Sequence, residues 1–133
     1  MNHENRTDTV SSLSGYRLLI VEDEYFIAED LSRTLRLLGA VIIGPAPAVA
    51  GARSLLKALR PHCILLNINL ADEDSSGFAQ EVRALGTPVI LITGYDRSSL
   101  PQFTREFPLL RKPVGTLDLV QTIRSQTPHS LVL

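Results

Sequence analysis

Apolar residues in this chain fall into short runs that alternate with stretches of helical periodicity. Leu18-Leu19-Ile20-Val21, Val41-Ile42-Ile43, Ile64-Leu65-Leu66, Val89-Ile90-Leu91-Ile92 and Leu109-Leu110 are continuous rather than alternating, the pattern of strands buried on both faces of a parallel sheet. The spacing predicts strands over Arg17–Val21, Val41–Ile43, His62–Leu66, Pro88–Ile92 and around Leu109–Leu110. Ile27, Leu31, Leu35 and Leu38 recur at three- and four-residue steps, which predicts a helix from about Tyr25 to Leu38 that stops at Gly39. Gly44-Pro45-Ala46-Pro47 reads as a turn into a helix that runs to Leu59 and is broken by Pro61. A polar loop at Asp72–Gly77 precedes a short helix, Phe78–Leu85. Asp96–Phe107 has helical composition, but Pro101 limits it to a short or broken helix. Thr116–Ser125 is the last helix, with Leu117, Val120 and Ile123 expected inward. Five strand–helix alternations predict an α/β fold, a doubly wound five-stranded parallel sheet with helices on both faces. The expected organisation is a flexible N-terminal arm (1–15), one folded domain (16–126) and a C-terminal tail (127–133) ending in apolar Leu131-Val132-Leu133.

Composition narrows the function classes. The chain has 133 residues, enough for one domain with a real core, and its net charge is −1 with 44% apolar and 20% charged residues. No basic stripe is present, so the electrostatic footprint of a nucleic-acid binder is missing. No apolar run approaches the roughly 20 residues that span a bilayer, and the polar N-terminus lacks the apolar core of a signal peptide. A single cysteine, Cys63, excludes an internal disulfide and reads as a small buried hydrophobe. A cytoplasmic protein that binds neither nucleic acid nor membrane is the expectation.

The strand ends carry the chemistry. The first run ends in Glu22-Asp23-Glu24, the third in Asn67-Ile68-Asn69, the fourth in Thr93-Gly94 and the fifth in Arg111-Lys112-Pro113. Parallel strands bring these groups to one carboxyl edge, where open α/β sheets bind ligands. Carboxylates, a hydroxyl and an ammonium at such an edge suit a divalent cation and a phosphoryl group. Taken singly, each signal is weak. Asp23 and Glu24 also suit a helix start, Asn67 and Asn69 suit a turn, and Thr93-Gly94 says little. Lys112-Pro113 is more unusual, since X-Pro at a strand end can hold a cis bond and aim the preceding side chain. The order acids, amide, hydroxyl, lysine across one βα repeat is the specific signal.

Over Arg17 to Ser125 the chain resembles the receiver domain of bacterial two-component response regulators, and the resemblance implies a (βα)5 flavodoxin-like fold. It rests on Leu18–Glu24, Leu65–Leu70, Ile92-Thr93-Gly94 and Arg111-Lys112-Pro113. The resemblance implies that Glu22 and Asp23 are Mg²⁺ acids, with Asn67 and the backbone carbonyl of Asn69 completing the metal set. Asn67 stands at the phosphoacceptor position, Thr93 is the switch hydroxyl, Lys112 contacts the phosphoryl group, and Pro113 follows a cis peptide bond. Thr87–Tyr95 is similar to a subgroup of stand-alone receivers nicknamed the FAT GUY type, whose fourth strand reads Pro-Phe-x-Phe-Ala-Thr-Gly-Tyr. Here Thr-Gly-Tyr is kept and both phenylalanines are aliphatic. The resemblance, over nearly the whole folded part of the 133 residues, carries the expectation of a stand-alone adaptor without an output module. The implied partners are a histidine kinase or another phosphorelay protein, and a second copy of the chain through its last helices.

Two positions depart from the family pattern. A carboxamide cannot form an acyl phosphate, so no phosphorylation is expected at Asn67 and Mg²⁺ binding should be weakened. This holds equally for a native pseudo-receiver and for an Asp-to-Asn variant. Leu109 stands where many receivers carry the aromatic residue that moves with the switch hydroxyl. The expected function is signalling by protein–protein contact rather than catalysis. The alternative is a phosphohydrolase-like or flavodoxin-like enzyme at the same strand edge. The first needs a nucleophilic carboxylate where Asn67-Ile68-Asn69 stands. The second needs a phosphate loop where Glu22-Asp23-Glu24 would repel phosphate.

Overall fold

The computed structural model describes residues 12–68 and 75–128. Five parallel strands, β1 (Arg17–Val21), β2 (Val41–Ala46), β3 (Cys63–Asn67), β4 (Val89–Thr93) and β5 (Leu109–Arg111), form one sheet in the order β2-β1-β3-β4-β5. Four α-helices connect them: α1 (Tyr25–Leu37), α2 (Val49–Leu59), α3 (Ser75–Ala84) and α4 (Thr116–Gln126). Side chains alternate across each strand, so the sheet feeds two cores. Leu19, Val21, Ile64, Leu66 and Leu91 pack against α2 and α3 through Ala52, Leu56, Phe78 and Val82. Leu18, Ile20, Leu65 and Ile92 pack against α1 and α4 through Leu35, Leu119 and Ile123. The doubly wound parallel sheet is the architecture that the apolar runs predict.

Several elements differ from the sequence expectation. The region 96–107 is broken at Pro101 as expected, but into two 3₁₀ turns, Arg97–Ser99 and Gln102–Glu106, with no α-helical turn. Proline denies the helical region to the residue before it, and Leu100 accordingly is extended at φ −93° and ψ 155°. The expected (βα)5 unit therefore has four α-helices among the described residues. Strand β2 runs through the expected turn to Ala46, with a register shift opposite Leu19 and Val21. Gly44 makes that shift with φ +88°, and a Cβ there would lie 2.7 Å from the Ala46 nitrogen. Helix α3 begins at Ser75, three residues earlier than Phe78. In α4, Leu119 and Ile123 are buried, whereas Leu117, expected inward, is exposed.

The folded unit also reaches beyond both expected ends. Leu13, placed in the arm by its polar neighbours, is fully buried in the α1/α4 core, and its N–H donates to the Leu38 carbonyl at 2.9 Å. Thr127 is buried and accepts a 2.6 Å bond from the Tyr16 hydroxyl. The rest of the expected arm (1–11) and the Leu131-Val132-Leu133 tail lie outside the described residues. Cys63 is fully buried, as expected of a small hydrophobe, and burial pushes its thiol up to about 12, far from a reactive thiolate.

Candidate functional site

Alternation along the strands sorts the polar groups before any contact is considered. On β1 and β3, Leu18, Ile20, Cys63 and Leu65 face the α1/α4 core. Glu22 and Asn67 continue those two rows, and Lys112 continues the row of Leu110 from β5. Thr93 continues the row of Leu91 and belongs to the opposite face.

Glu22 is fixed on every side. Its N–H donates to the Ala46 carbonyl at 3.0 Å, a bond that depends on the register shift at Gly44. Its carboxylate is only 3% exposed, and each oxygen has a partner. Oε1 accepts from Lys112 Nζ at 2.9 Å, and Oε2 accepts from the Glu24 N–H at 3.2 Å. A buried carboxylate costs several kcal/mol unless it is paired, and Lys112, itself 23% exposed, supplies the opposite charge. The lysine reaches Glu22 from β5, across the two strands that separate β5 from β1.

Lys112 is held by its backbone as well, because its N–H donates to the Thr93 carbonyl at 2.6 Å. The following Lys112–Pro113 peptide bond is cis. Thr93 is fully buried, and its hydroxyl accepts from the Tyr95 N–H at 3.1 Å. Asn67 is half-buried at the end of β3, and the next N–H, that of Ile68, donates to the Ile92 carbonyl at 2.8 Å. Asn69 lies outside the described residues.

Asp23 and Glu24 are exposed, and with Glu22 they place three carboxylate oxygens within 4.8 Å of one another. Mg²⁺ needs free oxygen ligands in near-octahedral array. As arranged, the donor set fits that ion poorly, although Asp23 and Glu24 are exposed to it. The one buried acid is engaged by an ammonium and a backbone N–H, Asn67 brings no charge, and the two remaining acids are solvated.

Two features escaped the sequence reading. The Glu22–Lys112 pair joins residues 90 apart and has no local signal; only the missing charge at position 67 hints at it. The second is an exposed aromatic pair beside the acids. Tyr25 is 69% and Phe26 80% exposed, and their rings meet edge to face at 5.3 Å. A signal for it existed, since the 27/31/35/38 periodicity leaves positions 25 and 26 off the expected buried face. A groove of about 530 Å³ lies between α1 and the start of α4, lined by Glu22 and Lys112 and walled by Ile27, Leu31, Ile92 and Leu119.

Residues 18–124 match the family model of the response regulator receiver domain. The chain is 28% identical over 111 residues to the transcriptional regulatory protein PdtaR of Mycobacterium tuberculosis, covering 80% of this chain and 54% of that protein. It spans about half the length of the curated relatives it matches. Among solved structures it is similar to the BeF3-activated conformation of SdrG from Pseudomonas melonis Fr1, at 28% identity and a TM-score of 0.72, covering 84% of this chain and 96% of that one. It is also similar to the response regulator PhyR from Brucella abortus, again at 28% identity and a TM-score of 0.72, covering 98% of this chain and 54% of that one.

Proposed function

The chain belongs to the family of response regulator receiver domains of two-component signalling, and from that premise we propose that it acts by contact with a histidine kinase or another phosphorelay protein without being phosphorylated at Asn67. The carrying observation is the pair formed by Lys112 and Glu22 beside an amide at the acceptor position. In a phosphorylated receiver, the hydroxyl and the lysine (here Thr93 and Lys112) gather around the phosphoryl group and shift the population towards the conformer a partner prefers. An amide offers no anionic oxygen to attack phosphorus, and the lysine already has a partner. The state of this domain is then set by what binds it. Thr93-Gly94-Tyr95 supports a place in the FAT GUY subgroup. The cytoplasm is the compartment we assign; no helix among the described residues is long and apolar enough to cross a membrane.

The exposed Tyr25–Phe26 pair supports the contact reading, because aromatic anchors carry much of the energy of protein interfaces. Replacing Phe26 by serine should weaken binding to the histidine kinase by about tenfold or more, the effect of losing roughly 1.4 kcal/mol. Isothermal titration calorimetry reads the affinity, and far-UV circular dichroism checks that the fold is kept. Unchanged affinity would move the contact to another face. An enzymatic reading finds no support at position 67, where a phosphohydrolase needs a carboxylate nucleophile and the chain has an amide.

A further inference from the structure

We propose that Lys112 is the resident counter-ion of the acid cluster, holding Glu22 so that the site is closed without a divalent cation. The proposal rests on reading this edge as a receiver site and goes further by assigning the lysine a standing structural charge role. Glu22 is a nearly buried carboxylate with both oxygens bonded, one of them to the ammonium at 2.9 Å. Counting the buried and half-buried groups at the edge, Glu22 contributes −1, Lys112 +1 and Asn67 zero, so they cancel. An aspartate at position 67 would leave this set at −1 and would place a second carboxylate on β3, a strand that lies between β5 and β1. Such a carboxylate would compete for the ammonium; the amide does not.

The pair also does mechanical work that a metal could otherwise do. It ties the segment between β1 and α1 to the segment between β5 and α4, and the Lys112 N–H anchors the same residue to Thr93. Asp23 and Glu24 remain exposed. A divalent ion at the buried acid would lie beside the Lys112 ammonium bonded to Oε1, whose like charge opposes it. Mg²⁺ and the lysine are therefore competitors for Glu22, and with an amide at position 67 the lysine wins.

The test is a Mg²⁺ titration of the full chain followed by amide chemical shifts and by melting temperature, on the protein itself, Lys112→Met and Asn67→Asp. The protein itself should show no saturable binding at millimolar Mg²⁺ and no rise in melting temperature. Lys112→Met should melt lower without metal, bind Mg²⁺ at least about tenfold tighter than the parent and regain melting temperature as it does so. Lys112→Gln, which keeps a neutral donor for Glu22, carries the same comparison if the methionine variant does not fold. If Asn67→Asp binds Mg²⁺ while the Lys112 variants bind no tighter than the parent, the counter-ion role is overturned and the receiver site stands. If no variant binds Mg²⁺, the receiver reading of this edge falls with it. Tight binding by the protein itself overturns the proposal directly.

Discussion

Asn67→Asp is expected to turn a protein that takes up no phosphate into one that carries a single phosphoryl group after incubation with a small phosphodonor and Mg²⁺. We propose position 67 as the acceptor position, lacking its nucleophile. It is half-buried at the end of β3, on the sheet face of Glu22 and Lys112, at the carboxyl edge. Restoring the carboxylate supplies an anionic oxygen that attacks phosphorus while the donor's leaving group departs with its bonding electrons. It also gives Lys112 a second anion to choose. Intact-mass spectrometry reads the result as all or nothing. Uptake by the protein as written would mean that another residue is the acceptor. Uptake by neither form would mean that the lysine or the acids are unfit for the chemistry even with the nucleophile restored.

Phe78→Ala is expected to cost about 3–5 kcal/mol, a large part of the roughly 5–15 kcal/mol that holds a domain of this size together. The ring is fully buried in the α2/α3 core with Leu66 and Ile68, the two residues that flank Asn67. The Arg53 guanidinium lies 5.7 Å from its centroid. Removing the ring opens a cavity in the core that it shares with Leu66 and Ile68. Urea unfolding should show a lower midpoint with an unchanged slope. A loss below about 1 kcal/mol would mean that the site's support lies elsewhere.

The continuous apolar runs made the sheet legible because β1, β3 and β4 are buried on both faces, and a strand buried that way has no reason to alternate. The helix α1 was legible through its periodicity. The ends of elements were less so. Gly44 extends β2 through a positive φ that a turn-like sequence conceals, and the Ser12–Gly15 segment looks polar although Leu13 is driven into the core. Pro101 signalled trouble in the fourth crossover, and the outcome is the loss of any α-helix there. In the site, alternation along β1 and β3 already places Glu22 and Asn67 on one face. The bond between Glu22 and Lys112 was not legible, because it follows from how burial and charge are balanced across the strands between β1 and β5.

We propose that this domain binds its kinase without accepting phosphate. The most direct test mixes a histidine kinase, labelled on its phosphohistidine, with an excess of this protein and follows both the complex and the label. The complex should form and the label should stay on the kinase; transfer of label to this chain would overturn contact without phosphotransfer.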